Sequence, residues 1–142
     1  MLKKVLVITD HFGPHTGGAH AAVSSTVYQL LNLGLKIKLI YSKDDLNKRN
    51  INFFLLIKNS DIVHFFGAWT WVHIKSIFIS LLLRKKIIIT PMGAFEEWSL
   101  SQKKLKKKVA LFVYQKFILK NSNLIHCTSE SEEKNIKILD KK

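Results

Sequence analysis

The chain has 142 residues, 47% of them hydrophobic, and a formal net charge of +13. That length suits one domain with a proper core, since about 70% of the unfolded chain's surface is buried at this size, and the hydrophobic content argues against intrinsic disorder. The charge favours anionic partners, but Arg49 and Arg84 are the only arginines, which weighs against sequence-specific reading of nucleic acid.

Cys127 is the only cysteine, so no internal disulfide forms and the chain suits a reducing cytoplasm. The opening "MLKKVLVITD" breaks at Asp10 without a small-residue cleavage site, so no signal peptide is expected. The greasiest runs, "INFFLLI" and "IKSIFISLLL", fall short of the roughly 20 residues that a membrane span needs.

In chain order, "VLVIT" (Val5 to Thr9) reads as a strand buried on both faces. The glycine loop "GPHTGGAH" follows. Ala19, Ala22, Val23, Thr26, Val27, Leu30 and Leu31 then recur at helical spacing, and Gly34 supplies a left-handed cap. "KIKLIY" is the second strand, which completes a βαβ unit. Ser42 to Ser60 reads as a loop and one short helix around Phe53 to Ile57. "DIVHFF" is the third strand, and Ile74, Ile77, Phe78, Leu81 and Leu82 form the apolar face of the next helix. "KIIIT" is the fourth strand, ended by Pro91 and Gly93. A helix over about Leu100 to Lys120, a fifth strand "NLIHCT" and a last helix opened by the capping box Ser129/Glu132 complete the pattern. Alternation of this kind predicts an α/β fold with a doubly wound parallel sheet of about five strands. There is one domain, residues 1–142, with no repeat and no interdomain linker.

In such a sheet ligands bind beyond the carboxyl ends of the strands. Gly17 and Gly18 stand where the first helix starts, a position at which backbone N–H groups approach an anion. Neither a G-x-G-x-x-G spacing nor a Walker lysine is present, so a phosphate cradle and a plain turn both stay open at this point. His11, His15 and His20 lack a cysteine neighbour, and a metal site is not expected. His64 and His126 lie in strand patterns and read as core residues; His73 reads as a surface helix residue. Glu96 and Glu97 follow a strand end, where they either cap the next helix or meet a sugar hydroxyl; Trp69, Trp71 and Trp98 offer stacking surfaces. Lys103, Lys104, Lys106, Lys107 and Lys108 cover the first half of a helix whose apolar face is Leu105, Val109, Phe112, Val113 and Phe117. This is either a solvated surface over a core-facing stripe or an interfacial helix drawn to anionic lipid.

Four ordered motifs carry a resemblance. "VLVITDHFGPHTGGAHAAV" with "LLNLGLKIKLIYSK", then "DIVHFFGAWTW", "IITPMGAFEEWSL" and "LIHCTSESEEKNI" resemble the N-terminal, Rossmann-like domain of GT-B retaining glycosyltransferases of the family-four (group 1) type. The resemblance spans residues 2 to 138 and implies transfer of a sugar from a nucleotide-sugar to a lipid-linked or polysaccharide acceptor in bacterial surface glycan synthesis. It implies Gly17 and Gly18 at the donor diphosphate, with His20, His64, Met92, Gly93, Glu96 and Trp98 near the acceptor or transferred sugar. No cofactor beyond the nucleotide-sugar is implied. Met92 stands where the family often has histidine or arginine, and Phe66 where it has the second histidine of its H-x-H-G motif. The family's second domain, which supplies most of the nucleotide pocket, has no counterpart in these residues. The chain is therefore expected to be inactive alone, as a fragment, as a split gene product that needs a separate chain for that half, or as a degenerate remnant. Its expected location is the cytoplasm, peripheral at the inner face of the plasma membrane, with no nucleic-acid partner. The alternative is a non-catalytic module of the same fold that docks on a partner or a membrane.

Overall fold

The computed structural model describes residues 3–10, 12–13, 16–41, 52–67, 70–96, 113–114 and 116–140. The sequence expectations for His11, His15, Trp69, Glu97, Trp98 and the lysines at 103, 104, 106, 107 and 108 lie outside these residues.

Five strands alternate with helices: β1 (Lys4–Thr9), α1 (Gly18–Asn32), β2 (Lys36–Tyr41), α2 (Phe53–Lys58), β3 (Ile62–Phe66), α3 (Trp71–Leu82), β4 (Lys86–Thr90), β5 (Leu124–Ile125) and α4 (Glu130–Asp140). Residues 116–121 are also helical. The sheet is parallel throughout, in the order β2-β1-β3-β4-β5. β1 is apolar from Val5 to Ile8 because both of its faces are covered. Leu6, Ile8, Val63, Phe65, Ile87 and Ile89 pack on one face with Ile57 of α2, Ile77 of α3 and Ile118. Val5, Val7 and Phe66 pack on the other with Val23 of α1. Each such fully buried side chain contributes about 1.5–3 kcal/mol. Helices on both faces of a parallel sheet in this order make the chain a Rossmann-like α/β domain.

The strands fall where the apolar runs predict them, except the fifth. Only Leu124 and Ile125 pair as β5, and both β2 and β5 are edges. Asn123 N–H and His126 N–H extend the ladder at either end, bonding to Ile87 O and Ile89 O. α1 ends as expected. Gly34 has φ 77°, and bonds from Gly34 N–H to Leu31 O and Leu35 N–H to Leu30 O complete a Schellman cap. α3 ends with the same bonds, from Arg84 N–H to Leu81 O and Lys85 N–H to Ser80 O, but with Arg84 held at φ 50°.

Two predicted faces are corrected. α3 buries His73, Ser76, Ile77 and Ser80, whereas Phe78 (51% exposed) and Leu82 (75%) face outward. Small serines let α3 lie close to the sheet, and Ser80 satisfies its hydroxyl on Ser76 O, 2.7 Å away. Val113, assigned by periodicity to the apolar face of its helix, is exposed; Ile118 and Leu119 are the buried residues of that region. No helix among the described residues is long and apolar enough to cross a membrane.

Candidate functional site

The strand order reverses between β1 and β3, since β1 leads through α1 to β2 on one side and β3 through α3 to β4 on the other. Ligands of open α/β sheets sit in the crevice at such a point, beyond the carboxyl ends of the strands. Two helix N-termini border it. After β1, Thr16 folds back on Gly13 O with both its N–H (3.0 Å) and its hydroxyl (2.8 Å). Gly17 follows as the N-cap of α1 at φ 51°, ψ −125°, a conformation that essentially only glycine adopts. No side chain caps α1, and its first turn holds no acid. A Cβ added at Gly18 would meet nothing within 4 Å, so neither space nor backbone geometry demands glycine there. His20 lies one turn in, half-buried, its ring 4.7 Å from that of Phe12. Its Nδ1 is buried without a hydrogen-bond partner among the described residues. α3 likewise begins without a side-chain cap or an acid in its first turn.

The ends of β1 and β3 are joined to the start of α3 by a group that the sequence reading missed. His73, expected at the surface, is fully buried. Its Nδ1 lies 3.2 Å from Asp10 Oδ2 at the end of β1 and 2.6 Å from Thr70 Oγ1, and its Nε2 lies 3.1 Å from Phe66 O at the end of β3. A carbonyl only accepts, so Nε2 carries a proton. Nδ1 then accepts from the Thr70 hydroxyl or, in a protonated ring, donates to Asp10. The Asp10 side chain is only 9% exposed. The ring thus stands between the carboxylate at the end of β1 and the start of α3. The sequence did hold a signal. Thr70 is the N-cap and His73 the third helical residue, the spacing at which a side chain reaches back to its cap.

The other rim residues separate into two groups. His64 is buried in β3, with Nε2 2.8 Å from Thr90 Oγ1 and its ring stacked 4.3 Å from Phe66. Thr90 Oγ1 also reaches Nδ1 of exposed His126 at 3.3 Å. One hydroxyl proton serves one ring while the other ring donates to the same oxygen. Burial, and secondarily the charge of His126, lowers the His64 pKa to about 4, so this imidazole is neutral. His64 reads correctly as a core residue; His126, given the same reading, is exposed just past β5. Met92 packs into the Phe66 cluster at φ 57°, an uncommon conformation for a residue with a side chain.

Gly93 and Glu96 turn away towards α4. Glu132, fully buried, accepts Gly93 N–H (2.8 Å), Thr128 N–H (3.1 Å) and the Thr128 hydroxyl (3.1 Å). The capping box forms with a one-residue offset. Ser129 Oγ accepts Glu132 N–H as expected, but Glu132 returns to Thr128 rather than to Ser129. Glu96 accepts hydrogen bonds from Ser129 (2.6 Å) and Ser131 (2.5 Å), which hold its carboxyl below the usual range. It is therefore tied to the start of α4 through two serine hydroxyls. Among the described residues no group of three or more histidine, cysteine, aspartate or glutamate side chains could hold a metal.

No family model and no curated protein matches the chain. Among solved structures, it is similar to a conserved protein from Enterococcus faecalis V583, at 12% identity over 99% of both chains and a TM-score of 0.49. It is also similar to S. aureus homoserine dehydrogenase, at 11% identity and a TM-score of 0.43. That match covers 89% of this chain but only 32% of the dehydrogenase. Neither neighbour is named as a glycosyltransferase.

Proposed function

We propose that this chain is the acceptor-side Rossmann-like domain of a retaining GT-B glycosyltransferase. It would act with a nucleotide-binding second domain, on the same polypeptide or on another, to move a sugar from a nucleotide-sugar to a lipid-linked or polysaccharide acceptor. The observation that carries this reading is the uncapped, acid-free start of α1 at the switch point, with Gly17 and Gly18 leaving open space before it. A diphosphate would find N–H groups and the positive end of a helix there. His20, whose Nδ1 has no partner among the described residues, and the Met92 turn would border the transferred sugar. The four sequence motifs supply the reaction class.

The test is a titration of the isotopically labelled chain with nucleoside-diphosphate sugars, followed by amide shifts. Shifts should centre on Gly17, Gly18 and Ala19 and shrink in Gly18→Ala, whose methyl occupies the open space without disturbing the helix. If these amides stay still with every donor tried up to millimolar concentration, the reading is wrong.

A second reading, a docking module without catalysis, has its own support. The outer stripe of α3 exposes Trp71 (80%), Phe78 and Leu82, with Lys75 between them. Such a stripe on a lysine-rich chain suits an anionic membrane surface. Sedimentation with anionic vesicles decides it: equal pelleting of the wild type and a variant with Gln at 103, 104, 106, 107 and 108 removes the lysine contribution.

A further inference from the structure

The opposite, amino-terminal edge of the sheet carries a groove of about 480 Å³. Lys3 and Lys4 enter it from the start of β1, Lys58 and Asn59 from the end of α2, Asp61 from the start of β3, and Lys86 from the start of β4. Four lysines thus face one aspartate. That aspartate is fastened to β1, because Asp61 Oδ2 accepts Lys4 N–H at 2.8 Å and Asp61 N–H donates to Lys4 O at 2.9 Å. None of the four lysines forms an ion pair with a described residue.

Lysines near helix C-termini often do no more than offset the helix dipole. Here another residue serves the end of α2: Lys85 Nζ donates to Lys58 O at 2.8 Å. The four groove lysines are then surplus to that need. Lys4 and Lys86 stand on strands separated by β3, so their backbones lie about 10 Å apart. Ammonium groups on long, flexible stems arriving from β1, α2 and β4 spread over the groove, so a compact chain of two or three phosphoryl groups meets more of them at once than a single phosphate does. The groove is concave and of the size that holds small ligands, about 300–1,000 Å³; a flat bilayer or a duplex would touch only its rim.

We propose that this groove binds a compact small molecule bearing two or more phosphoryl groups, through the ammonium groups of Lys3, Lys4, Lys58 and Lys86. The site lies at the opposite edge from Gly17 and Gly18 and does not depend on the function proposed above.

The test uses inorganic tripolyphosphate and the whole chain, in titration calorimetry at low salt. The wild type should bind tripolyphosphate at least about tenfold more tightly than orthophosphate, because several charge-assisted bonds form at once. Lys58→Gln with Lys86→Gln should weaken it by at least about tenfold. The charge-matched pair Lys120→Gln with Lys134→Gln, both on exposed helix faces, should leave it within about twofold, since screening weakens distant charges. Circular dichroism checks that every variant folds. Amide shifts on binding should centre on Asn59 and Asp61. The proposal fails if both variant pairs weaken binding alike, or if the shifts appear only at Gly17 and Gly18. It fails equally if anionic vesicles or duplex DNA, but not tripolyphosphate, bind in a Lys58- and Lys86-dependent way.

Discussion

Replacing His73 by leucine tests the clamp at the switch point. Leucine fills much of the ring's volume, so the perturbation is mainly the loss of polar partners. Phe66 O and the Thr70 hydroxyl lose their contacts at 3.1 and 2.6 Å; Asp10 loses the ring nitrogen at 3.2 Å but keeps another interaction. Each orphaned buried group costs about 1–3 kcal/mol. Because Thr70 can turn its hydroxyl towards water, the expected total is about 3 kcal/mol, a large share of the roughly 5–15 kcal/mol that holds a domain together. Urea denaturation of the wild type, His73→Leu, Asp10→Asn and the double variant measures it. The Asp10 and His73 changes should couple by at least about 1 kcal/mol, as contacting residues do. A cost below about 1 kcal/mol for His73→Leu, or additivity of the two changes, would refute the clamp.

His64 holds a proton only below about pH 4 in the folded chain but below about pH 6.5 when unfolded. Its contribution is therefore intact above about pH 6.5 and is lost as pH falls towards about 4. Between about pH 7 and about pH 4.5 the wild type should lose about 2–3 kcal/mol more than His64→Asn in urea titrations, and parallel losses would contradict the assignment. At the two Schellman caps, Arg84→Gly relieves a left-handed arginine and should stabilise by about 0.5–1 kcal/mol. Gly34→Ala should cost about 1 kcal/mol; thermal melts moving the other way would sink both expectations. Glu132→Ala removes three hydrogen bonds, two of them from exposed Thr128, and should cost about 1–3 kcal/mol, with Glu132→Gln milder. Unchanged hydrogen exchange at Gly93 in Glu132→Ala would rule this out.

The fold was legible because parallel strands buried on both faces write themselves as unbroken apolar runs, as Val5 to Ile8 and Ile87 to Ile89 do. β5 was overread, since an edge strand bonded on one side needs few paired residues, and only Leu124 and Ile125 of NLIHCT pair. The α3 face was misread because periodicity ranks residues by greasiness. Ser76 and Ser80 are buried for their small size, and His73 for three polar contacts that only the tertiary structure supplies. At the rim, Gly17 was legible as the turn that starts α1, because backbone conformation is written in glycine. Asp10, Thr70 and His73 were missed because they meet only when the ends of β1 and β3 lie side by side. The tie from Glu96 to α4 was invisible for the same reason, its partners being 33 and 35 residues away.

The strand order also sets a schedule for synthesis. β1 to β4 lie within residues 4–90, and each of their pairings is complete inside that stretch. β5 reaches β4 only after a further excursion of more than thirty residues. On the ribosome β4 is therefore a bare, apolar edge of Ile87, Ile88 and Ile89 for as long as that excursion takes. Unpaired edges of this kind recruit other strands. Chains stalled before residue 124 should bind chaperones or self-associate, and chains stalled after α4 has emerged should not.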